Sequence, residues 1–268
     1  MNTNDIISDY VEHKFTLQEL SKKYGKSVST IQRSLQKMRH IRTISKDKEV
    51  VILIDTTYWG RNFGLMAIKD ALRNKILWHK YVRYETIADY MEGISWLRQE
   101  GFVIYGVVCD GLRGLFQALF QYRVQMCQVH QQRIISTYLT LEPDLEASKE
   151  LLSLSRLMTK TDKESFIGML EQWYSKWKTF ISERSVDIKS GKSYYTHKRL
   201  RSAYLSLKRN MSYLWTFYDY PYLGIPNTNN GIEGTFTDIK SKLRVHSGMK
   251  KSNRIRFIDE YLVRHYYK

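Results

Sequence analysis

Three prolines in 268 residues are too few for a linker-rich chain, and 14 glycines exclude a collagenous one. Two cysteines, Cys109 and Cys127, exclude a disulfide scaffold and suit a reducing compartment. No run approaches the ~18 consecutive apolar residues that a membrane span needs. The start, residues 1–10, is polar and acidic and lacks the basic-then-apolar order of a secretory signal. Acids are also scarce: 27 Asp and Glu stand against 43 Lys and Arg, a formal net charge of +16. Charge of this size speaks to partners rather than to fold, and the partner it implies is a polyanion, nucleic acid before an anionic membrane surface. Hydrophobic residues at 43% and aromatic residues at 13% exclude a disordered basic tail. The expectation is a soluble, cytoplasmic protein with no membrane partner.

Residues 4–40 read as three short helices. Thr16-Leu17-Gln18-Glu19 has the capping-box form, which satisfies free backbone donors at a helix start. Gly25 can take the left-handed backbone that ends that helix. A third helix starts near Ser27 or Ser29 and runs through Ile31, Leu35 and Met38. Leu17, Leu20, Tyr24, Val28, Ile31 and Leu35 are spaced to form one small core. The other face of the third helix carries Ser29, Thr30, Gln32, Arg33, Gln36 and Lys37. This pattern reads as a helix-turn-helix over residues 1–45, with polar side chains for base edges and basic ones for phosphates.

The period then changes. Val50–Ile54 is a continuous β-branched run ending in Asp55. Strands are expected over 63–68 and 75–82, a helix over 86–100, a strand over 102–108 ending at Cys109-Asp110, a short helix over 112–120 and a strand over 124–129. The order β-β-β-α-β-α-β predicts an α/β fold, a mixed sheet with helices packed on it. Residues 136–224 lose the strand signal and recur at helical spacing, which predicts an all-helical insertion. A final helix is expected over 229–243, and residues 225–268 close the core with a basic tail. Basic residues cluster late: eight Lys or Arg and one acid from Arg184 to Arg209, then seven and no acid from Lys240 to Arg256.

Three carboxylates stand out. Asp55 and Asp110 follow apolar strands, and ligands gather at strand ends in open sheets. Two carboxylates held close together repel unless cations neutralise them. Glu233 lies at a helix start in Asn227-Thr228-Asn229-Asn230-Gly231-Ile232-Glu233. With Leu53-Ile54-Asp55-Thr56-Thr57, Val108-Cys109-Asp110-Gly111, Cys127-Gln128-Val129-His130 and the long insertion before Glu233, the chain resembles a DDE transposase with an RNase H-like core. It is most similar to bacterial insertion-sequence transposases of the Mutator-like superfamily, over about residues 48–260.

The resemblance implies a core split into residues 46–135 and 225–268. It implies that Asp55, Asp110 and Glu233 hold two Mg²⁺ or Mn²⁺ ions, one activating a water and later a DNA 3′-hydroxyl, the other stabilising the leaving oxygen. The partners it implies are double-stranded DNA, both transposon terminal inverted repeats and target, with a homodimer pairing two ends near the bacterial nucleoid. Cys127 and His130 lack the other ligands of a structural zinc site, and His130 is expected to contact DNA or support the carboxylates. Asn230 belongs to the approach to Glu233. Lys240 and Arg244 return near the Glu233 face of a helix and are candidates to hold scissile phosphates; His246 lies just beyond. Trp215 is a candidate to stack on a splayed base.

Two other readings compete. His130-Gln131-Gln132-Arg133 has the H-x-x-R form of tyrosine recombinases, but Tyr261, Tyr266 and Tyr267 lie more than 120 residues away. A DNA-binding regulator, or a domesticated transposase that no longer cuts, is opposed by the intact carboxylate set.

Overall fold

The computed structural model describes residues 3–36, 47–246 and 248–267. The element order is α1 (Thr3–Val11), α2 (Leu17–Tyr24), α3 (Val28–Leu35), β1 (Glu49–Tyr58), β2 (Gly64–Asp70), β3 (Ile76–Val82), α4 (Ile87–Gln99), β4 (Val103–Cys109), α5 (Leu115–Ala118), β5 (Arg123–Met126), α6 (Gln128–Leu139), α7 (Glu146–Leu157), α8 (Lys163–Trp177), β6 (Arg184–Val186), β7 (Ser193–Tyr195), α9 (Lys198–Leu214), α10 (Thr216–Asp219), α11 (Asn230–Arg244) and α12 (Lys251–Tyr266). Five strands form a mixed sheet in the order β3-β2-β1-β4-β5. β2 and β3 pair antiparallel, and β4 and β5 pair parallel with Cys109 opposite Met126. This is the mixed sheet with flanking helices expected from the sequence. No helix among the described residues is long and apolar enough to cross a membrane.

The chain divides into two compact units. The first joins Met1–Val50 and Ile54–Val103 to the C-terminal stretch Asn230–Lys268. Its N-terminal helices form for local reasons. The Thr16 side chain accepts the Glu19 backbone N–H while the Glu19 carboxylate accepts the Thr16 backbone N–H at 2.7 Å, closing the capping box. Gly25 ends α2 at φ 59°, a left-handed conformation that costs other residues energy. Ser27 caps α3 by accepting the Thr30 N–H. Ile6, Leu20, Ile31 and Leu35 make the small core. Helix α1 packs on α12: Tyr10 lies edge-on to Phe257 at 5.7 Å, and Arg264 pairs with Glu12 at 3.2 Å.

The second unit holds Val51–Leu53 and Ile104–Asn229. Its core runs from Met126 and Ile135 through Leu151, Phe166, Trp173 and Leu207 to Trp215. Buried amides bind its parts together. Gln125 and Gln128 each donate to the Leu214 carbonyl at 3.0 Å, and Gln131 donates to Ser206 Oγ. Paired this way, they avoid the cost of burying an unsatisfied amide.

Three expectations need correction. Strand β1 continues to Tyr58, so Asp55 lies within the strand rather than at its end. Val129 belongs to α6, because the chain turns helical at Gln128. The insertion is not wholly helical: β6 and β7 form a small antiparallel hairpin. Its turn is set by Asp187, whose carboxylate accepts the Lys189 and Ser190 N–H groups, and by Gly191 at φ 66°. Beyond these, the basic tail, for which the sequence reading named no element, contains a 16-residue helix, α12, with Phe257, Ile258, Tyr261 and Leu262 buried on one face.

Candidate active site

In the first unit Asp55 is 8% exposed, and its Oδ1 accepts the Thr56 N–H at 2.7 Å. The apolar run before it explains the burial: Val50–Ile54 are all buried in the sheet. Beside it, Thr56 Oγ1 lies 3.0 Å from the Tyr90 hydroxyl, which donates to Glu85. Burial pushes the Tyr90 hydroxyl well above its ordinary value, so it stays a neutral donor.

Glu233 lies in the first turn of α11. That turn is held by a residue the sequence reading missed. Lys69, 2% exposed on β2, donates to the Gly231 carbonyl and to Thr235 Oγ1, both at 2.7 Å. Its ammonium also lies over the Tyr266 ring at 4.9 Å. Gly231 and Thr235 bracket Glu233 by two residues on each side. Burial draws the Lys69 ammonium down from 10.5 to about 8. The signal available in the sequence was a lysine inside the apolar strand Gly64–Asp70, a position where a cation requires a partner.

Lys240 and Arg244 share the continuous helix α11 with Glu233. At ~1.5 Å rise per residue they follow Glu233 by roughly 10 and 16 Å along the axis. Asn230 opens the helix and is exposed. His246 is turned inward, packed between Tyr10 and Phe257 with ring centroids at 4.3 and 5.3 Å. Burial lowers its pKa and leaves it a neutral packing residue, not one aimed at DNA. On α3, Ser29, Gln32, Arg33 and Gln36 are exposed, and Thr30 is half-buried against the Ser27 cap. Lys37 lies outside the described residues.

In the second unit Asp110 is the first residue after β4, and Cys127 the first after β5. The parallel register brings these strand ends together: the Cys127 N–H donates to the Cys109 carbonyl at 2.8 Å. Cys127 is fully buried, and its sulfur accepts the Asn229 N–H at 3.2 Å. The next residues continue the seam. The Gln128 N–H donates to the Asn227 carbonyl, and Asn227 Nδ2 donates to Gln128 Oε1, both at 3.0 Å. The Asn-rich segment is thus fixed to the start of α6 immediately before the chain enters α11. Cys127 acts as an anchor for that segment. His130, on the first turn of α6, lies with Nε2 3.1 Å from Arg133.

Trp215 does not fit the base-stacking role. It is fully buried, with Phe166 and Phe217 rings at 5.7 and 5.8 Å. An indole walled in by its own core cannot offer a face to a nucleobase.

The donor chemistry fits hard divalent cations. The carboxylates of Asp55, Asp110 and Glu233, expected from the sequence to bind metal, are of the ligand type that Mg²⁺ and Mn²⁺ prefer.

No family model and no curated relative matches the chain in sequence. Solved structures do match. The Drosophila P element transposase strand transfer complex contains a chain similar over 98% of this one and 92% of its own length, at 11% identity and a TM-score of 0.41. A chain in the simian T-cell lymphotropic virus intasome complex with PP2A regulatory subunit B56 gamma is similar over 73% of each, at 10% identity and a TM-score of 0.25. Likenesses this distant decide nothing about activity, so the functional reading rests on the residues themselves.

Proposed function

We propose that this chain is a DNA transposase of the DDE kind, in the Mutator-like group its sequence resembles. One observation carries the reading. In the sheet order β3-β2-β1-β4-β5, the strand bearing Asp55 neighbours β4, which Asp110 follows directly. Two carboxylates held close together repel, and cations bound between them would relieve that repulsion. Glu233, on a helix start fixed by Lys69, completes the set.

Asp55, Asp110 and Glu233 would hold two Mg²⁺ or Mn²⁺ ions, which supply charge stabilisation at the attacking and leaving oxygens of a phosphodiester. The chain's own residues do the rest. Lys69 fixes the turn that presents Glu233. Lys240 and Arg244 offer successive positive positions along α11 for the DNA backbone. Ser29 and Arg33, on the exposed part of α3 outside the cleft described below, read the duplex of the terminal repeats, and a homodimer on DNA brings two ends into one complex.

The experiment is nicking of a supercoiled plasmid that carries the DNA flanking the gene, with Mn²⁺ or Mg²⁺ and with EDTA. Metal-dependent nicks at the element ends, lost in Asp55→Asn and Glu233→Gln, are expected. Equal nicking by wild type and both variants would contradict the proposal. Binding to the ends without any nicking would favour a DNA-binding regulator.

A further inference from the structure

The first unit contains a cleft of about 810 Å³ between the N-terminal helices and the start of α12. Gln32 and Gln36 of α3 line it together with Lys250, Asn253 and Arg256 from the C-terminal stretch. Leu35 adds apolar surface, and among the described residues no carboxylate lines the cleft. Gln32 and Gln36, two of the α3 side chains read as DNA-binding in the sequence, therefore line the same cleft as two cations.

Three features give this cleft a chemistry. First, its cations are uncompensated: neither Lys250 nor Arg256 forms an ion pair among the described residues, and the unbalanced positive charge favours an anion. Second, the neighbouring basic side chains are already engaged. Lys251 and Arg254 lie over the Phe63 ring at 5.3 and 5.9 Å, which leaves Lys250 and Arg256 to serve the cleft. Third, the amides of Gln32, Gln36 and Asn253 offer donors and acceptors together, the pairing that reads base edges.

Size then selects the occupant. The volume falls in the ~300–1,000 Å³ range of sites that enclose a small ligand. One turn of duplex, about 34 Å long, cannot enter it, whereas one or two nucleotides of a single strand can. We propose that this cleft seats one unpaired polynucleotide strand, with Lys250 and Arg256 on phosphates and Gln32, Gln36 and Asn253 on base edges. This deepens the DNA-binding part of the function proposed above without depending on the carboxylate chemistry.

The test is fluorescence anisotropy of a labelled 20-nucleotide single strand and its duplex, titrated in EDTA at several KCl concentrations. Each neutralised phosphate contact removes about 0.7 from the log–log salt slope on single strands. Lys250→Gln/Arg256→Gln should therefore flatten the slope for the single strand by about 1.4 and weaken binding at least several-fold. Lys189→Gln/Lys192→Gln removes the same charge from the β6–β7 hairpin and should leave the slope unchanged. Unchanged circular dichroism and melting would show that both variants fold. Three results would overturn the proposal: equal losses in both double variants, no loss in the cleft variant, or a loss confined to duplex. EDTA blocks metal-dependent cleavage, so failure of the transposase reading leaves this outcome intact.

Discussion

Lys69 offers a quantitative test of how the turn bearing Glu233 is held. A lysine drawn from 10.5 to about 8 binds its proton less tightly in the fold than in the unfolded chain. Between those values the unfolded state carries more protons, so stability rises with pH. The penalty is fully present below pH 8 and relieved as pH approaches 10.5. A shift of this size corresponds to about 3 kcal/mol before solvent screening and about 2 kcal/mol after it. Lys69→Met removes the titration while keeping most of the side-chain volume. Thr235 Oγ1 still donates to the Gly231 carbonyl at 3.3 Å in the variant's frame, so the turn keeps one strap. Urea denaturation of both proteins at pH 7, 8, 9 and 10 isolates the effect as a difference, because other tyrosines and lysines titrate alike in each. Wild type should gain about 2 kcal/mol on the variant between pH 7 and pH 10. A difference that stays flat, or one that falls, would refute the argument that Lys69 is a charged group inside an apolar wall.

Two other substitutions probe packing. Trp215→Ala should cost about 3–5 kcal/mol in urea denaturation, as truncation of a fully buried aromatic does; a stable variant that merely loses DNA affinity would restore the base-stacking role. At Gly93 of α4, an added Cβ would lie 2.7 Å from Ile68 Cδ1 and from the Trp78 ring. Gly93→Ala should therefore destabilise by about 1–3 kcal/mol despite its better helix propensity, and a change below about 0.5 kcal/mol would show that this contact relaxes freely.

What the sequence disclosed were features set by neighbours in the chain. The capping box at Thr16 and Glu19, the left-handed Gly25 and the continuous run into Asp55 are encoded within a few residues. So is the alternation of strands and helices that gives the sheet. Hidden features depend on distant partners or on masked periodicity. Lys69 meets the Gly231 carbonyl across 162 residues of chain, so nothing beside it announces its role. Trp215 is buried by Phe166, which lies 49 positions earlier. The apolar stripe of α12, at Phe257, Ile258, Tyr261 and Leu262, has helical spacing, but the dense Lys and Arg before it left the stretch described only as a basic tail. The strands β6 and β7 have three residues each, too short for alternation to show. Cys127 was legible as part of a motif, yet its work, accepting the Asn229 N–H, appears only once β4 and β5 are paired.

The central claim is that Asp55, Asp110 and Glu233 act together on a phosphodiester. Its most direct measurement is the single-turnover cleavage rate of end-containing DNA by wild type and Asp110→Asn, at protein concentrations that saturate binding for both. The substitution keeps shape and removes a negative oxygen, so it should lower the rate at least ~10²-fold, equivalent to about 3 kcal/mol or more of lost transition-state stabilisation. DNA affinity in EDTA should be unchanged. An Asp110→Asn protein that cleaves at the wild-type rate would contradict the account.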